Sequence, residues 1–318
     1  MWESNKAAGR RSIADSGPQK PEGRGFRRAE WILRARIVHS MSIRLIALDL
    51  DGTLINSRWE ISEVDRRALL AASERGIQLV VVTGRRPLAA APYVAKIPCP
   101  VTIITSNGAL IRTTSGEVVY QDFLPRAVAH QVLDIAHEYR PYTVAIFHVP
   151  GRGQVIMQDN AIPEGPLGWY VKTSSDQLLQ VPDLRVAVES DPVQVMIGGP
   201  LARIEPAEAL LRDSEAGPFV NLTWTKYPER NIALFDIMNR GCSKGRALKF
   251  WATRLGIPPG EIMAIGDNFN DREMLEFAGL PVLMGNHIAG LARSGWAITS
   301  SCEDSGVATA IETYVLND

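Results

Sequence analysis

The chain has few of the residues that build a disulfide-bonded or zinc-bound scaffold. It contains three cysteines among 318 residues, Cys99, Cys242 and Cys302, and no two of them form a C-x-x-C pair. This spacing argues against a disulfide framework and against a structural zinc site. The five histidines show no metal-ligand spacing either. Isolated thiols are typical of proteins in a reducing cytosol, so we expect a cytoplasmic protein.

Three further absences exclude broad classes of function. The formal net charge of −1 gives no overall attraction to nucleic acid or to an acidic membrane surface. No apolar run reaches the roughly 18 residues that a membrane-spanning helix requires. No G-x-G-x-x-G fingerprint follows the first predicted strand, which disfavours a nicotinamide-binding protein. We therefore expect no nucleic-acid partner, no membrane partner, and a monomer or small homo-oligomer.

Positive charge is concentrated in residues 1–40, which contain nine Lys or Arg against four Asp or Glu. A basic segment rich in Gly, Ser and Pro is predicted to be disordered. Three interpretations compete for it: a nucleic-acid-binding arm, an Arg-rich transit peptide, and sequence upstream of the natural start. The four acids are unusual for a transit peptide. Because Met41 lies just before a clean strand, we favour a natural start at Met41.

The remaining sequence has enough apolar residues for a sizeable core, with 46% hydrophobic residues in the chain. Apolar runs at 43–48, 77–82 and 101–105 alternate with a helix that Ser62 caps. The same rhythm returns after residue 240 and includes a short helical segment predicted over 290–294. Strands that are apolar on both faces predict a parallel sheet covered by helices. We expect an α/β core domain, a Rossmann-like doubly wound parallel sheet formed by residues 41–123 and 240–318. Residues 124–239 mix strands of antiparallel character with helices predicted over 126–139 and 204–212 and a turn predicted at 198–200, and they are predicted to form an inserted α+β domain.

Polar residues follow the predicted strands at the points where the strands end. Ligands of an open parallel sheet bind beyond the carboxyl ends of its strands, so these residues are considered together. Each is common alone in a turn or on a surface, and their weight comes from their order at successive strand or helix ends. They are Asp49, Asp51, Thr83, Gly84, Asn107, Lys244, Asp267, Asn270 and Asp271.

The chemistry of this set predicts phosphoryl transfer. Four acids would repel one another unless a cation lies among them. Oxygen ligands with room for water suit Mg²⁺. Lys244 opposes the helix dipole at the start of its predicted helix, whereas the free N–H groups there attract anions. A lysine at that position indicates that an anion lies beside it, and phosphate fits best. Metal, phosphate, carboxylate and lysine together are typical of phosphoryl transfer.

Five short motifs carry these residues: DLDGT at 49–53, VVTGR at 81–85, SNGA at 106–109, SKGRAL at 243–248 and GDNFND at 266–271. The set resembles the haloacid dehalogenase superfamily, and more narrowly its Cof-type (subclass IIB) phosphatases, over residues 41–313. The resemblance implies that the inserted domain is a C2-type cap. It also implies that Asp49 is the nucleophile and that Asp51 is the general acid and base.

The resemblance further implies the ligands. Mg²⁺ would be held by the Asp49 carboxylate, the Asp51 backbone carbonyl and Asp267. Asp271 would act on the water shell of the metal or hold Lys244, and Asn107 would help to position the substrate. The phosphate oxygens would be bound by the Leu50 N–H, Thr83, Gly84, Lys244 and Asn270. In the cap, a predicted loop over 223–231 with Trp224, Lys226, Tyr227, Glu229 and Arg230 is the candidate for substrate contact. For Arg85 and Arg86 two interpretations stay open, contact with the substrate and pairing with surface acids.

The implied function is Mg²⁺-dependent hydrolysis of small-molecule phosphate monoesters, such as a sugar phosphate, FMN or pyridoxal phosphate, through an aspartyl-phosphate. A phosphosugar mutase or phosphotransferase of the same superfamily would share every motif. A receiver-like signalling domain also combines acids, a hydroxyl residue and a lysine on a doubly wound sheet. Receivers are about half this size and have neither the DxDGT motif nor a cap.

Overall fold

A computed structural model describes residues 42–159, 168, 172, 174–227 and 231–317. The basic segment 1–40, and Glu229 and Arg230 of the predicted substrate loop, lie outside the described residues. The predictions for these residues stay predictions.

The larger of two sheets contains eight strands within the described residues. In chain order they are β1 (Leu45–Leu48), β2 (Gln78–Val82), β3 (Thr102–Thr105), β4 (Leu110–Arg112), β5 (Val118–Gln121), β12 (Ile262–Gly266), β13 (Leu280–Leu283) and β14 (Ala297–Ile298). Their order across the sheet is β14-β13-β12-β1-β2-β3-β4-β5. All pairs from β14 to β3 are parallel, and β4 and β5 extend the edge as an antiparallel hairpin. Every side chain of the central strand β1 is buried, which explains its uninterrupted apolar sequence.

The smaller sheet contains six strands in the part of the chain that the structure describes. They are β6 (Thr143–Ile146), β7 (Val155–Gln158), β8 (Leu178–Val181), β9 (Gln194–Gly199), β10 (Val220–Tyr227) and β11 (Ile232–Asn239). Their order is β10-β11-β9-β6-β7-β8, and the pairs are antiparallel except for the parallel pair β7 and β8. All six lie within residues 124–239, which the sequence assigns to the inserted domain.

Capping residues mark the starts of two helices, and a glycine marks the end of one of them. Ser62 caps the first, since its Oγ accepts from the N–H of Asp65 at 2.9 Å, and Ser243 caps another by accepting from Arg246 at 3.1 Å. Gly256 ends the latter helix with a φ of +65°. The α-helices whose bounds the structure describes are α1 (Glu63–Glu74), α2 (Pro87–Val94), α3 (Arg126–Ile135), α4 (Leu184–Ala187), α5 (Leu201–Ile204), α6 (Pro206–Arg212), α7 (Lys244–Leu255), α8 (Arg272–Phe277) and α9 (Gly306–Ile311).

In the core, one predicted element is wrong and one observed hairpin was not predicted. The helical segment predicted over 290–294 consists of turns and irregular backbone. Gly290 has a φ of +84°, which a right-handed helix does not accommodate. The hairpin β4–β5 has no counterpart among the predicted elements. Its strands are short, and their pairing depends on β3, which a local pattern does not reveal.

The insert shows larger differences from the prediction. Residues 223–227 of the predicted loop belong to strand β10, where Trp224 pairs with Phe235 of β11 and the two rings stack at 4.4 Å. The turn predicted at 198–200 is also wrong, because Gly198 and Gly199 are the last residues of β9. The helix predicted over 126–139 ends at Ile135, and the helix predicted over 204–212 is two short helices, the second beginning at Pro206.

Candidate active site

The candidate site lies at the carboxyl ends of the central parallel strands. Asp49 follows β1 directly, Thr83 follows β2, and Asp267 follows β12. Because these strands are neighbours, their ends meet at one edge of the sheet. Carboxylate oxygens of Asp49, Asp267 and Asp271 all lie within 4.8 Å of one another, and all three residues are buried. The fold thus brings together acids that are more than 200 residues apart in sequence.

Lys244 supplies the positive charge of this acid cluster. Its Nζ lies 2.6 Å from Oδ1 of Asp49 and 2.7 Å from Oδ1 of Asp271, and the residue is 1% exposed. The other oxygen of Asp271 accepts from the backbone N–H groups of Asp267 and Asn268, both at 3.0 Å. Asp271 therefore fixes the Lys244 ammonium and the loop that carries Asp267 at the same time.

One lysine does not balance three buried acids. The pKa of Asp49 is raised to about 7, chiefly by burial and further by the charges of Asp271 and Asp51, although Lys244 lowers it. Burial and the charges of Asp271 and Asp49 likewise raise the pKa of Asp267 well above its usual range. Burial opposes the charge of Lys244, but the two carboxylates more than offset this and raise its pKa. The cluster keeps an excess of negative charge that a further cation would relieve.

Asp51 pairs with Arg85. The guanidinium donates from Nε to Oδ2 at 2.7 Å and from Nη2 to Oδ1 at 2.6 Å. Arg85 also lies over the rings of Tyr93 and Trp59, at 4.5 and 5.2 Å from their centres. The sequence left open whether Arg85 reaches the substrate or pairs with a surface acid. The acid it contacts is the predicted general acid, which is about a fifth exposed.

Two glycines allow the loops to approach one another closely. Gly52 has a φ of +81°, and a Cβ there would lie 2.5 Å from Oδ2 of Asp267. A Cβ on Gly84 would lie 3.0 Å from Oδ1 of Asn107. Thr53, which follows Gly52, donates from Oγ1 to Oδ1 of Asp267 at 3.2 Å. The absence of side chains at these positions keeps the acids and the amide within one small space.

The predicted amide residues contact each other. The Asn270 side chain donates to Oδ1 of Asn107 at 3.0 Å. Asn107 is fully buried with a φ of +53°, and its Nδ2 donates to Oδ2 of Asp236 at 2.9 Å. Thr83 is also fully buried, and its Oγ1 accepts from the N–H of Arg85 at 3.1 Å. Leu50 is buried, and its carbonyl accepts from the N–H of Ile55 at 2.7 Å.

The end of strand β10 reaches the acid cluster. Lys226 exchanges two hydrogen bonds with Asn268: its carbonyl accepts at 3.0 Å and its N–H donates at 3.4 Å. Burial and the charges of Asp51, Asp267 and Asp49 raise the pKa of Tyr227 well above its usual range. Trp224 instead lies in the core of the insert and donates to Glu208 at 2.6 Å. Of the described candidates for substrate contact, Lys226 and Tyr227 are thus the ones beside the acids.

Sequence reasoning missed Asp236 and Gln194, which are buried beneath Asn107. The Gln194 side chain donates to Oδ1 of Asp236 at 2.5 Å. An acid inside the apolar run IALFDIM of β11 was the available signal, because a charge within such a run needs a buried partner. The sequence does not reveal which partner the fold brings to it.

A family model described as haloacid dehalogenase-like hydrolase matches residues 46–311. The chain belongs to the haloacid dehalogenase-like hydrolase family. Phosphatase YwpJ of Bacillus subtilis is 30% identical over 290 residues, covering 84% of this chain and 98% of the relative. Pyridoxal phosphate phosphatase YbhA of Escherichia coli is 28% identical over 258 residues, covering 77% and 89%. A solved haloacid dehalogenase-like hydrolase from B. subtilis superposes with a TM-score of 0.71 at 26% identity, covering 85% and 99%.

These similarities confirm the predicted family, its Cof-type character and the α/β fold class. They also confirm the enzyme class, a phosphoric monoester hydrolase. The relatives YwpJ and YbhA are named as phosphatases, and the matches cover 98% and 89% of their own length. Among the described residues of the hydrolase, no helix is both long and apolar enough to cross a membrane.

Proposed function

We propose that the protein is a Mg²⁺-dependent phosphatase that hydrolyses small-molecule phosphate monoesters through an aspartyl-phosphate at Asp49. One observation carries the proposal. The first carboxylate of the DxD motif is buried beside Lys244, in a cluster with Asp267 and Asp271 at the carboxyl ends of the central strands. A buried nucleophile, a cation for the phosphate and a set of metal-binding oxygens then share one small site.

The residues present fit Mg²⁺. Carboxylate oxygens of Asp49, Asp267 and Asp271 come within 4.8 Å of one another, and oxygen donors are what this ion prefers. Burial first, and then the charges of neighbouring carboxylates, raise the pKa values of Asp49 and Asp267, and a divalent cation would offset both effects. We propose Asp49, Asp267 and the Asp51 carbonyl as ligands, with Asp271 holding Lys244 and supporting the metal's water shell. When bound, the ion would neutralise charge on the phosphate and on the attacking carboxylate.

The side chains of this chain divide the reaction between them. An oxygen of Asp49 attacks phosphorus, and the bond from phosphorus to the ester oxygen breaks. Asp51 donates a proton to the departing alkoxide and then accepts one from the water that attacks the phosphoryl group. Phosphate leaves and the Asp49 carboxylate is restored. Since Asp51 is held by Arg85 in this structure, binding of an anionic substrate would draw the guanidinium away and release the carboxylate.

The phosphate is proposed to lie against cations and donors at the same edge of the sheet. Lys244 contributes the charge, and Asn270 with the Leu50 N–H contributes hydrogen bonds. Thr83 and Gly84 line the end of β2, where the missing side chain of Gly84 leaves room beside Asn107. Asn107 fixes the Asn270 amide through the 3.0 Å hydrogen bond between them.

Residues 124–239 are proposed to form the cap that chooses the leaving group. The chain enters this segment after Asp122 and leaves it at Asn239, and the Asn239 side chain donates a hydrogen bond to Asp122 at 2.5 Å. The end of β10 meets the core loop through Lys226 and Asn268, so Lys226 and Tyr227 border the space above the acids. A cap in this position would exclude water from the phosphoryl group and contact the rest of the substrate.

The proposed substrates are soluble phosphorylated metabolites of the sugar phosphate, FMN or pyridoxal phosphate class. The relative YbhA is named for pyridoxal phosphate, and YwpJ is named only as a phosphatase. A cytoplasmic location accords with this substrate class and with three cysteines that form no disulfide. The receiver-like interpretation is set aside because the chain belongs to a hydrolase family.

The test is phosphate release from a panel of small phosphate esters, with and without Mg²⁺, by the wild type and by Asp49→Asn. We expect release that requires the metal and falls at least about a thousandfold in the variant, as for loss of a nucleophile. Circular dichroism would show that the variant keeps its fold. Metal-independent release, or normal turnover by Asp49→Asn, would contradict the proposal. Isomerised sugar phosphate without free phosphate would indicate the mutase instead.

A further inference from the structure

Strand β11 carries a buried acid that the proposed mechanism does not use. Asp236 is 4% exposed, and of its neighbours on the same face of the strand, Met238 belongs to a buried apolar cluster and Leu234 packs against that cluster. That cluster also contains Ala109 of the core, two residues after Asn107. Burial raises the pKa of Asp236 to about 7, so the carboxylate is kept here at a cost in free energy.

Both oxygens of Asp236 are used as hydrogen-bond acceptors. Oδ2 accepts from Nδ2 of Asn107 at 2.9 Å, and Oδ1 accepts from Nε2 of Gln194 at 2.5 Å. Each of the two amide N–H groups needs its own acceptor oxygen, and a carboxylate provides both. Gln194 lies on β9, so the acid joins two strands of the insert to the core loop after β3.

The contact with Asn107 determines how the next amide is held. With its Nδ2 committed to Asp236, Asn107 presents Oδ1 to Nδ2 of Asn270 at 3.0 Å. Only one of the two Asn270 amide hydrogens is used in that contact, which leaves the other for a phosphate oxygen. Without an acceptor at Asp236, the Asn107 amide loses one of the two hydrogen bonds that favour this orientation over the flipped one, which would turn a donor toward Asn270.

We propose that Asp236 is a positioning residue for phosphoryl transfer, which orients the Asn107 amide and through it the phosphate-binding amide of Asn270. The inference rests on the proposed phosphatase function. Its basis is the run of two hydrogen bonds that links Asp236 through Asn107 to Asn270. Because Asp236 belongs to the insert and Asn270 to the core, this run also makes the phosphate site depend on the insert's position.

The first variant is Asp236→Leu, which keeps the shape of the side chain on an apolar face but removes both acceptors. We expect kcat for a small phosphate ester to fall about tenfold or more, the scale seen when outer partners of a site are lost. The inhibition constant of inorganic phosphate should rise in parallel, while the thermal midpoint stays close to that of the wild type. Wild-type kcat and phosphate affinity in folded Asp236→Leu would overturn the inference.

Two further variants separate positioning from a structural role. Asp236→Asn should keep kcat within about threefold, because Gln194 can turn its amide and let its unpaired Oε1 accept from the new side chain. Gln194→Met removes the hydrogen bond to Oδ1 of Asp236 but leaves the hydrogen bond between Asp236 and Asn107, so we expect near-normal kcat. Equal losses of kcat in Gln194→Met and Asp236→Leu would mean general disruption and would overturn the inference.

A double variant tests whether Asp236 acts through Asn107. Adding Asp236→Leu to Asn107→Ala should cause little further loss of kcat, since the amide to be oriented is already gone. Fully additive losses would contradict the proposed route. If Asp236→Leu does not fold, Asp236→Ala takes its place in every comparison.

Failure of the phosphatase proposal is distinguishable from failure of this inference. A wild type that releases no phosphate from any ester contradicts the phosphatase alone. Calorimetric binding of inorganic phosphate in the presence of Mg²⁺ then tests the inference, with weaker binding by Asp236→Leu as the expected result. Equal binding by both proteins, or binding by neither, overturns it.

Discussion

At the scale of single residues, Lys244 shows how an almost completely buried charge is tolerated. Its ammonium contacts the carboxylates of Asp49 and Asp271 at 2.6 and 2.7 Å. A buried cation is stabilised only when partners replace its hydration, and the same holds for the acids. Removal of the lysine would leave both carboxylates buried without their counter-ion. Lys244 therefore contributes to folding as well as to the proposed phosphate site.

Replacement of Lys244 should cost both stability and activity. For Lys244→Ala we expect a loss of about 3–5 kcal/mol in the free energy of unfolding, the cost of breaking a buried pair. Substrate affinity and kcat should both fall. Arg44→Ala is the matched control, because it breaks an ion pair with Glu261 of similar length, 2.8 Å, on a half-exposed side chain. The control should lose at most about 1 kcal/mol and keep its turnover.

Denaturant unfolding and steady-state kinetics on the two variants provide the check. Equal stability losses would show that the Lys244 pair is worth no more than a surface contact. Unchanged KM and kcat in Lys244→Ala would show that the lysine does not contact phosphate.

At the scale of elements, the loop after β1 contains a glycine in the left-handed conformation that lies close to the side chain of Asp267. Gly52 has a φ of +81°, and a Cβ there would approach Asp267 to 2.5 Å. Gly116, in the β4–β5 hairpin, has a similar φ of +85° but no atom within 4 Å of such a Cβ. The pair separates the cost of the backbone conformation from the cost of crowding the acid cluster.

Alanine at the two glycines should have different consequences for the site. Both variants should lose about 1–2 kcal/mol of stability, because an L-residue is strained in the left-handed region. Only Gly52→Ala should also displace the Asp267 carboxylate, which raises the Mg²⁺ concentration for half-maximal activity by about tenfold or more. Metal titrations of activity measure this difference. A normal metal requirement in Gly52→Ala would argue against Asp267 as a metal ligand.

The same scale explains which elements the sequence could predict. Strands β1 and β12 are buried on both faces, and the caps Ser62 and Ser243 act within a few residues, so local patterns locate them well. Strand β10 contains Lys226 among polar neighbours, and its pairing with β11 depends on the later course of the chain. The contact of Asp51 with Arg85 and that of Asp236 with Asn107 also require the folded arrangement.

At the scale of the whole molecule, the acid cluster links stability to pH and metal. The pKa of Asp49 is raised from an ordinary value of 3.8 to about 7, mainly by burial. Between these values the folded protein binds more protons than the unfolded chain. This contribution to stability is therefore full below the unfolded value and is lost as the pH rises through about 7. The raised pKa of Asp267 acts in the same direction.

The metal-free protein should be less stable at about pH 8 than at about pH 6, since deprotonation leaves uncompensated buried charge. Mg²⁺ should raise the thermal midpoint more at the higher pH, because its ligands are then deprotonated. Asp49→Asn should weaken both dependences. Calorimetric scans with chelator and with Mg²⁺ measure them. An equal effect of Mg²⁺ at both pH values would contradict the proposed ligand set.

The most direct test is to locate the phosphoryl group during turnover. A reaction with a good substrate and Mg²⁺, quenched in acid within its first turnover and analysed by peptide mass spectrometry, should show phosphate on the peptide that contains Asp49. The label should be absent from Asp49→Asn and should disappear as the substrate is exhausted. Rapid turnover with no label at Asp49, or a label on a different residue, would contradict a mechanism in which Asp49 is the nucleophile.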